Sequence, residues 1–288
     1  MQAKTVILYD YNSHGHHIAY QALIAKLLLQ NGYRVWLFCG KPDAVMDTLL
    51  LKDDELHLKD RVEGFPIEAP AVARGIVFRN LCMGWTSWRQ AARQIESIST
   101  KKGCRAHFTL FLSAADFSRG FLTRQFVERI YPHPWGALMI HLQLPHLFSS
   151  GSFMQTIARG LQCHRRWYYQ PLDIYNAAHC QCFLTLQEDC LDKLHEYIPG
   201  KAFLFPDISS QEYTVDAPVF KSILDKAGGR KIISLIGNQN YRKGTFVLLE
   251  IARRCSNRDW FFLWAGKDDY QRGNKKAQSL VQRVQTDQ

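Results

Sequence analysis

Short apolar runs alternate with amphipathic helical stretches along most of this chain, and that alternation leaves few folds open to it. Residues 6–9 form the first apolar run, and the loop Asp10-Tyr11-Asn12-Ser13-His14-Gly15-His16-His17 follows it. Tyr20, Leu23, Ile24, Leu27 and Leu28 then recur at helical spacing, Asn31-Gly32 stops the helix, and residues 35–38 make the next run. A helix between two short buried strands implies a right-handed parallel crossover. Further strands are expected at 108–112, 137–140, 183–186 and 202–205, and helices at 85–98, 119–130, 153–161 and 188–197. The expected class is α/β: an open, mostly parallel sheet covered on both faces. Residues 45–80 carry no legible element, because Pro66 and Pro70 interrupt any long one.

Near Pro206 the pattern turns polar, and Gly228-Gly229 closes a short helix at 222–227. A second series then starts: a strand at 232–236, a helix after Gly244, and a strand at 260–265 ending at Gly266. The reading divides the chain into an N-terminal Rossmann-like domain at 1–206, a linker at 207–229 and a second Rossmann-like domain at 230–288. Two strands and one clear helix are too few for an independent α/β layer, so the second domain is expected to be incomplete. Its polar remainder offers only one more amphipathic helix, around 277–284.

The turn between that strand and helix has the parts of an anion site. Gly237 and Gly244 flank Asn238, Arg242 and Lys243, and a helix N-terminus follows at once. The first N–H groups of a helix lack intrahelical partners and its dipole favours negative charge there. Two cations beside such an end suit a phosphate or diphosphate. The charge distribution agrees: residues 230–288 hold 12 Lys and Arg against 5 Asp and Glu, or +7 of the chain's net +10. Phosphate-bearing ligands, an acidic membrane surface and nucleic acid all fit that bias, as does a merely soluble basic face.

No run reaches the ~18 apolar residues of a spanning helix, and the start Met-Gln-Ala-Lys-Thr shows no secretory segment. A cytoplasmic location is the default, with peripheral contact at an acidic inner membrane face as its variant. The eight cysteines have no small-domain spacing and read as reduced thiols. Cys163-His164 with His179-Cys180-Gln181-Cys182 invites a zinc reading, but a Cys-x-Cys in a strand is expected to turn both thiols to one face, and no second pair follows. Inert, buried cysteine is the preferred reading. Motifs of a nucleophile elbow, a Walker loop or a dinucleotide fingerprint are absent, which weighs against hydrolase, NTPase and dehydrogenase functions.

Taken together, these residues resemble the two-domain GT-B glycosyltransferases of the family 4 kind. The most specific stretch is Ile233-Ser-Leu-Ile-Gly-Asn238 with Arg242-Lys243-Gly244, a helix, then Trp260-Phe-Phe-Leu-Trp-Ala-Gly266. Phe183-Leu-Thr-Leu-Gln-Glu188 and Gly200-Lys-Ala-Phe-Leu-Phe-Pro206 are similar to the end of that family's first domain. The resemblance implies retaining transfer of a sugar from a nucleotide-diphosphate donor to a glycan or lipid-linked acceptor, with no metal and no cofactor. It implies that Gly237, Asn238, Arg242, Lys243 and Gly244 hold the diphosphate, that Gly15 and His17 belong to a loop facing the donor or acceptor, and that His141 lies near the transferred sugar. Asn238 stands where the family usually has arginine. The family's later pair of glutamates, with seven residues between them, is not reached before Gln288. A shortened transferase is therefore expected, or half of a split one completed by a second polypeptide.

Each signal also has a plainer reading. His14, His16 and His17 suit a polar cap, His141 a structural histidine, and Trp85 and Trp88 suit helix packing better than a sugar platform. Asp116, at a strand end, matches no motif. The alternative function is a non-catalytic scaffold binding a glycan, a lipid carrier or a partner transferase; nucleic acid is the least favoured partner.

Overall fold

The computed structural model describes residues 3–12, 16–49, 53–70, 76–120, 122–140, 172–206, 218–237, 244–255 and 259–266. The chain divides into two compact units, Met1–Ile208 and Ser209–Gln288.

The first unit is built on a seven-stranded sheet, every neighbouring pair parallel. In chain order its elements are β1 (Thr5–Asp10), α1 (His16–Gln30), β2 (Arg34–Cys39), α2 (Pro42–Thr48), β3 (Val62–Pro66), α3 (Ile76–Lys102), β4 (Phe108–Phe111), α4 (Ala114–Phe117), α5 (Arg124–Ile130), β5 (Trp135–Met139), β6 (Cys180–Thr185), α6 (Leu191–Tyr197) and β7 (Ala202–Leu204). The strand order β3-β2-β1-β4-β5-β6-β7 is doubly wound, with its topological switch point between β1 and β4.

Burial explains why these strands read as unbroken apolar runs. Every residue of β1 and β5 is buried, since helices cover both faces. Ile7, Tyr9, Phe38, Phe111, Trp135 and Phe183 face a core closed by Trp88, Ala91 and Ile95 of α3, Val127 of α5 and Leu194 of α6. Leu8, Leu37, Leu110 and Leu138 face the other core, closed by Ile24, Ala25 and Leu29 of α1 and Val45 of α2. Among the described residues, no helix is long and apolar enough to cross a membrane.

Several expectations shift in detail. The buried stripe of α1 runs through Tyr20, Ala22, Ile24, Ala25 and Leu29, and Leu27 is exposed. Two alanines let the helix approach the sheet, which rotates Leu27 outward. β3 falls in the stretch without a legible element: it is an edge strand, only partly buried, and can therefore end in Pro66. α5 starts at Arg124 instead of Arg119, because the Thr123 side chain accepts a hydrogen bond from the Phe126 N–H and caps it. A bulge corrects the Cys-x-Cys reading. Trp135 pairs with Cys180 and Gly136 with Cys182, so one step on β5 opposes two on β6. Cys180 thereby joins the core that holds Phe183, and burial pushes its thiol pKa up to about 12. Cys163, His164 and the helix expected at 153–161 lie outside the described residues.

The second unit comprises α7 (Pro218–Ala227), β8 (Lys231–Ile236), α8 (Thr245–Arg254) and β9 (Trp260–Ala265). β8 and β9 pair in parallel from Lys231↔Trp260 to Ile236↔Ala265. Among its described residues only Ala227, Thr245 and Leu249 are fully buried, while Phe220, Leu224, Ile232, Ile236, Val247 and Ile251 are exposed.

Candidate functional site

Open parallel sheets place ligands outside the C-terminal ends of their strands, at the switch point. Here that point is the end of β1 beside the end of β4, and it carries a polar network rooted in a buried carboxylate. Asp10, the last residue of β1, is fully buried. Its Oδ1 accepts from the Asn12 N–H at 2.9 Å and from the Ser113 hydroxyl. Its Oδ2 meets His17 Nδ1 at 2.8 Å. Asn12 Nδ2 donates to Ser113 Oγ at 2.8 Å, and Gln21 Nε2 donates to the Asn12 carbonyl at 3.4 Å.

This bonding orders His17. A proton on Nδ1 is held by the Asp10 carboxylate, which directs the imidazole's Nε2 lone pair away from Asp10. Burial alone would lower the His17 pKa; the hydrogen bond and charge of Asp10, with the charge of Asp116, outweigh it and raise the pKa above the ordinary imidazole value. Histidine plus buried carboxylate is the arrangement of a general base in which the carboxylate fixes the tautomer and steadies the imidazolium.

Asp116, in α4 just past β4, makes an ion pair with Arg119 at 3.2 Å, both side chains largely buried. Tyr11 packs against them: burial first, then the Asp116 carboxylate, raises its pKa far above the ordinary phenol range. The Trp88 indole donates to the Phe117 carbonyl at 3.0 Å and the Gly84 N–H to the Arg119 carbonyl at 3.1 Å, so α3 holds this turn in place.

Of the residues singled out from the sequence, His17 and Asp116 are seen at this switch point. Gly15, His141, Asn238, Arg242 and Lys243 lie outside the described residues, as does His14. Gly237 and Gly244 are described, in the second unit. Gly237 follows β8 with φ 113°, and its N–H donates to the Ala265 carbonyl at 2.8 Å. Gly244 is the N-cap of α8 with φ 77°, a left-handed conformation that side-chain-bearing residues resist. Gly244 has no side chain with which to cap α8, and no acidic residue stands in the helix's first turn, while Arg253 and Arg254 occupy its last. The charge order leaves the α8 N-terminus suited to an anion.

Sequence reasoning missed Asp10, Asn12 and Ser113 as a group. The available signal was an aspartate closing an otherwise apolar strand; its partnership with Ser113, 103 positions away, exists only through the β1–β4 pairing.

No family model and no curated protein matches this sequence. Similar solved structures do exist. A glycosyltransferase from Rickettsia africae aligns with a TM-score of 0.60 and 12% identity, over 99% of this chain and 66% of that one. A UGT transferase from Siraitia grosvenorii, solved in complex with UDP, aligns with a TM-score of 0.54 and 9% identity, over 94% of this chain and 66% of that one. An α,α-trehalose 6-phosphate synthase from Burkholderia multivorans aligns with a TM-score of 0.50 and 12% identity, over 99% and 71%. The chain spans just under two thirds of the first two relatives' length. Likeness at this identity concerns architecture, and the architecture of this chain is GT-B-like: a Rossmann-type parallel sheet followed by a second, smaller α/β unit.

Proposed function

We propose that this chain is a glycosyltransferase acting on a nucleotide-diphosphate sugar. The observation that carries the reading is the hydrogen-bonded unit of Ser113, Asp10 and His17 at the switch point of the parallel sheet. In this reading His17 Nε2 takes the proton from the acceptor hydroxyl as that oxygen attacks the anomeric carbon, and Asp10 stabilises the imidazolium formed. The nucleotide diphosphate departs with the bonding electron pair; in the second unit Gly237 and Gly244 shape the turn whose Asn238, Arg242 and Lys243 are assigned to the diphosphate, supplying donors in place of a metal. Gly15 lets its loop approach the ligand, and His141 contacts the transferred sugar.

Family resemblance implied retention of the anomeric configuration. The ordered base at His17 favours the other outcome, since a base that activates the acceptor suits direct displacement with inversion. Proton NMR of the product's anomeric signal decides between them.

Calorimetric titration of the full chain with UDP, GDP and ADP tests donor binding, with UDP first because the Siraitia relative was solved with it. Heat with one nucleotide and not the others is expected. A folded sample giving no heat with any of them would remove donor binding from the reading. The exposed apolar side chains of α8 and β8 favour a second reading, in which a further polypeptide layer completes the donor side. Nucleotide binding that emerges only when a partner protein is added would establish it.

A further inference from the structure

The outer face of α3 carries basic and aromatic groups that the proposed transfer does not use. Trp85, Arg89 and Arg93 are spaced one helical turn apart, so they share one stripe. Trp85 stacks on Phe126 of α5 with centroids 4.3 Å apart and planes 25° from parallel. The Arg89 guanidinium lies 5.6 Å from the Trp85 centroid and 5.8 Å from that of Phe126. Near-equal distances mean that it flanks the stack and does not cap it, and Trp85 stays 40% exposed. Beside this stripe, Thr86, Gln90 and Gln94 also line a depression of about 490 Å³.

The two amides there are anchored. Gln90 Nε2 donates to the Glu68 carbonyl at 2.8 Å, and Gln94 Oε1 accepts from the Tyr9 hydroxyl at 2.6 Å. Among the described residues neither Arg89 nor Arg93 forms an ion pair, and both side chains lie on the exposed face of the helix. An aromatic plate beside two exposed guanidinium groups and fixed amides suits a ligand with one flat C–H-bearing face, hydroxyls and a negative charge.

We propose that this face of α3 binds an anionic sugar, a pyranose bearing a carboxylate or a phosphate. The ring lies against Trp85, and the anion is held by Arg93 together with Arg89. This site stands independently of the nucleotide-sugar reading.

Saturation-transfer NMR on the full chain tests it, with glucuronate, glucose 6-phosphate and glucose as separate probes, inorganic phosphate as a competitor of bound glucose 6-phosphate, and no nucleotide present. A chain that failed to bind UDP would leave this result standing. The expected outcome is binding of one or both anionic sugars, with glucose and phosphate weaker by about tenfold or more. Arg93→Gln and Trp85→Leu, both at exposed positions, should each weaken the anionic sugar by about tenfold with an unchanged circular dichroism spectrum. The two anionic probes tell carboxylate from phosphate. Equal binding of phosphate and glucose 6-phosphate, insensitivity to Arg93→Gln, or no binding of any sugar would overturn the proposal. So would sedimentation with phosphatidylglycerol vesicles that Arg93→Gln abolishes in a sample that binds none of the sugars.

Discussion

His17 meets Asp10 because β1 ends in a carboxylate that cannot reach water, and a buried carboxylate must find donors. Ser113 and the Asn12 amide supply two, and His17 supplies the third. The consequence is a measurable link between proton binding and stability. The folded-state pKa of His17 lies above its ordinary value, so the folded state holds the proton more tightly. The resulting stabilisation is complete below about pH 6.5, the unfolded value, and is lost as pH rises through the folded pKa. Urea unfolding across neutral and mildly alkaline pH should therefore show a falling midpoint in the natural chain and a flatter profile in His17→Gln. The same shift bears on catalysis. In the proposed reaction the base must be unprotonated, so a transfer rate carried by His17 should climb with pH along a limb displaced to the alkaline side of ordinary imidazole, and His17→Gln should abolish that limb. Asp10→Asn should move the limb back towards lower pH, since the charge that holds the proton is gone.

Among elements, α3 joins the sheet to the turn bearing Asp116 and Arg119. Its Trp88 is fully buried and meets Phe111, Phe117, Tyr131 and Trp135 with ring centroids 4.9–5.9 Å apart. It also donates to the Phe117 carbonyl, so truncation removes packing and orphans an acceptor. Trp88→Ala should cost about 3–5 kcal/mol, measured by urea denaturation followed through circular dichroism. Trp85, three residues earlier and half out of the core, should tolerate Leu at about 1 kcal/mol or less. Helical periodicity recognised both as packing residues; only the placement of α5 separates them, by giving Trp85 a stacking partner at the surface and Trp88 an aromatic cage.

At the scale of the whole molecule, the two units differ sharply in how much they bury. The first has apolar cores on both faces of seven strands. The second has two strands and, among its described residues, three fully buried side chains. Since burial of apolar surface is the main stabilising term, scanning calorimetry of the full chain should resolve two transitions, the lower one belonging to the second unit. Trp260 and Trp264 lie in that unit and Trp36, Trp88 and Trp135 in the first, so single-tryptophan variants assign each transition. A ligand of the second unit should raise the lower transition and leave the upper one in place.

Parallel order and the crossover helices were legible in the residues, because a strand buried on both faces must be apolar and a helix must show its 3.6-residue period. What local pattern could not show depends on chain pairing. β3 was hidden because an edge strand needs no strong apolar signal. The facing of Cys180 was reversed by a bulge that only pairing with β5 creates. The site at Asp10 follows the same rule: its residues are separated by up to 103 positions, and the hydrogen bonds that make them one unit form only once β1 and β4 lie side by side.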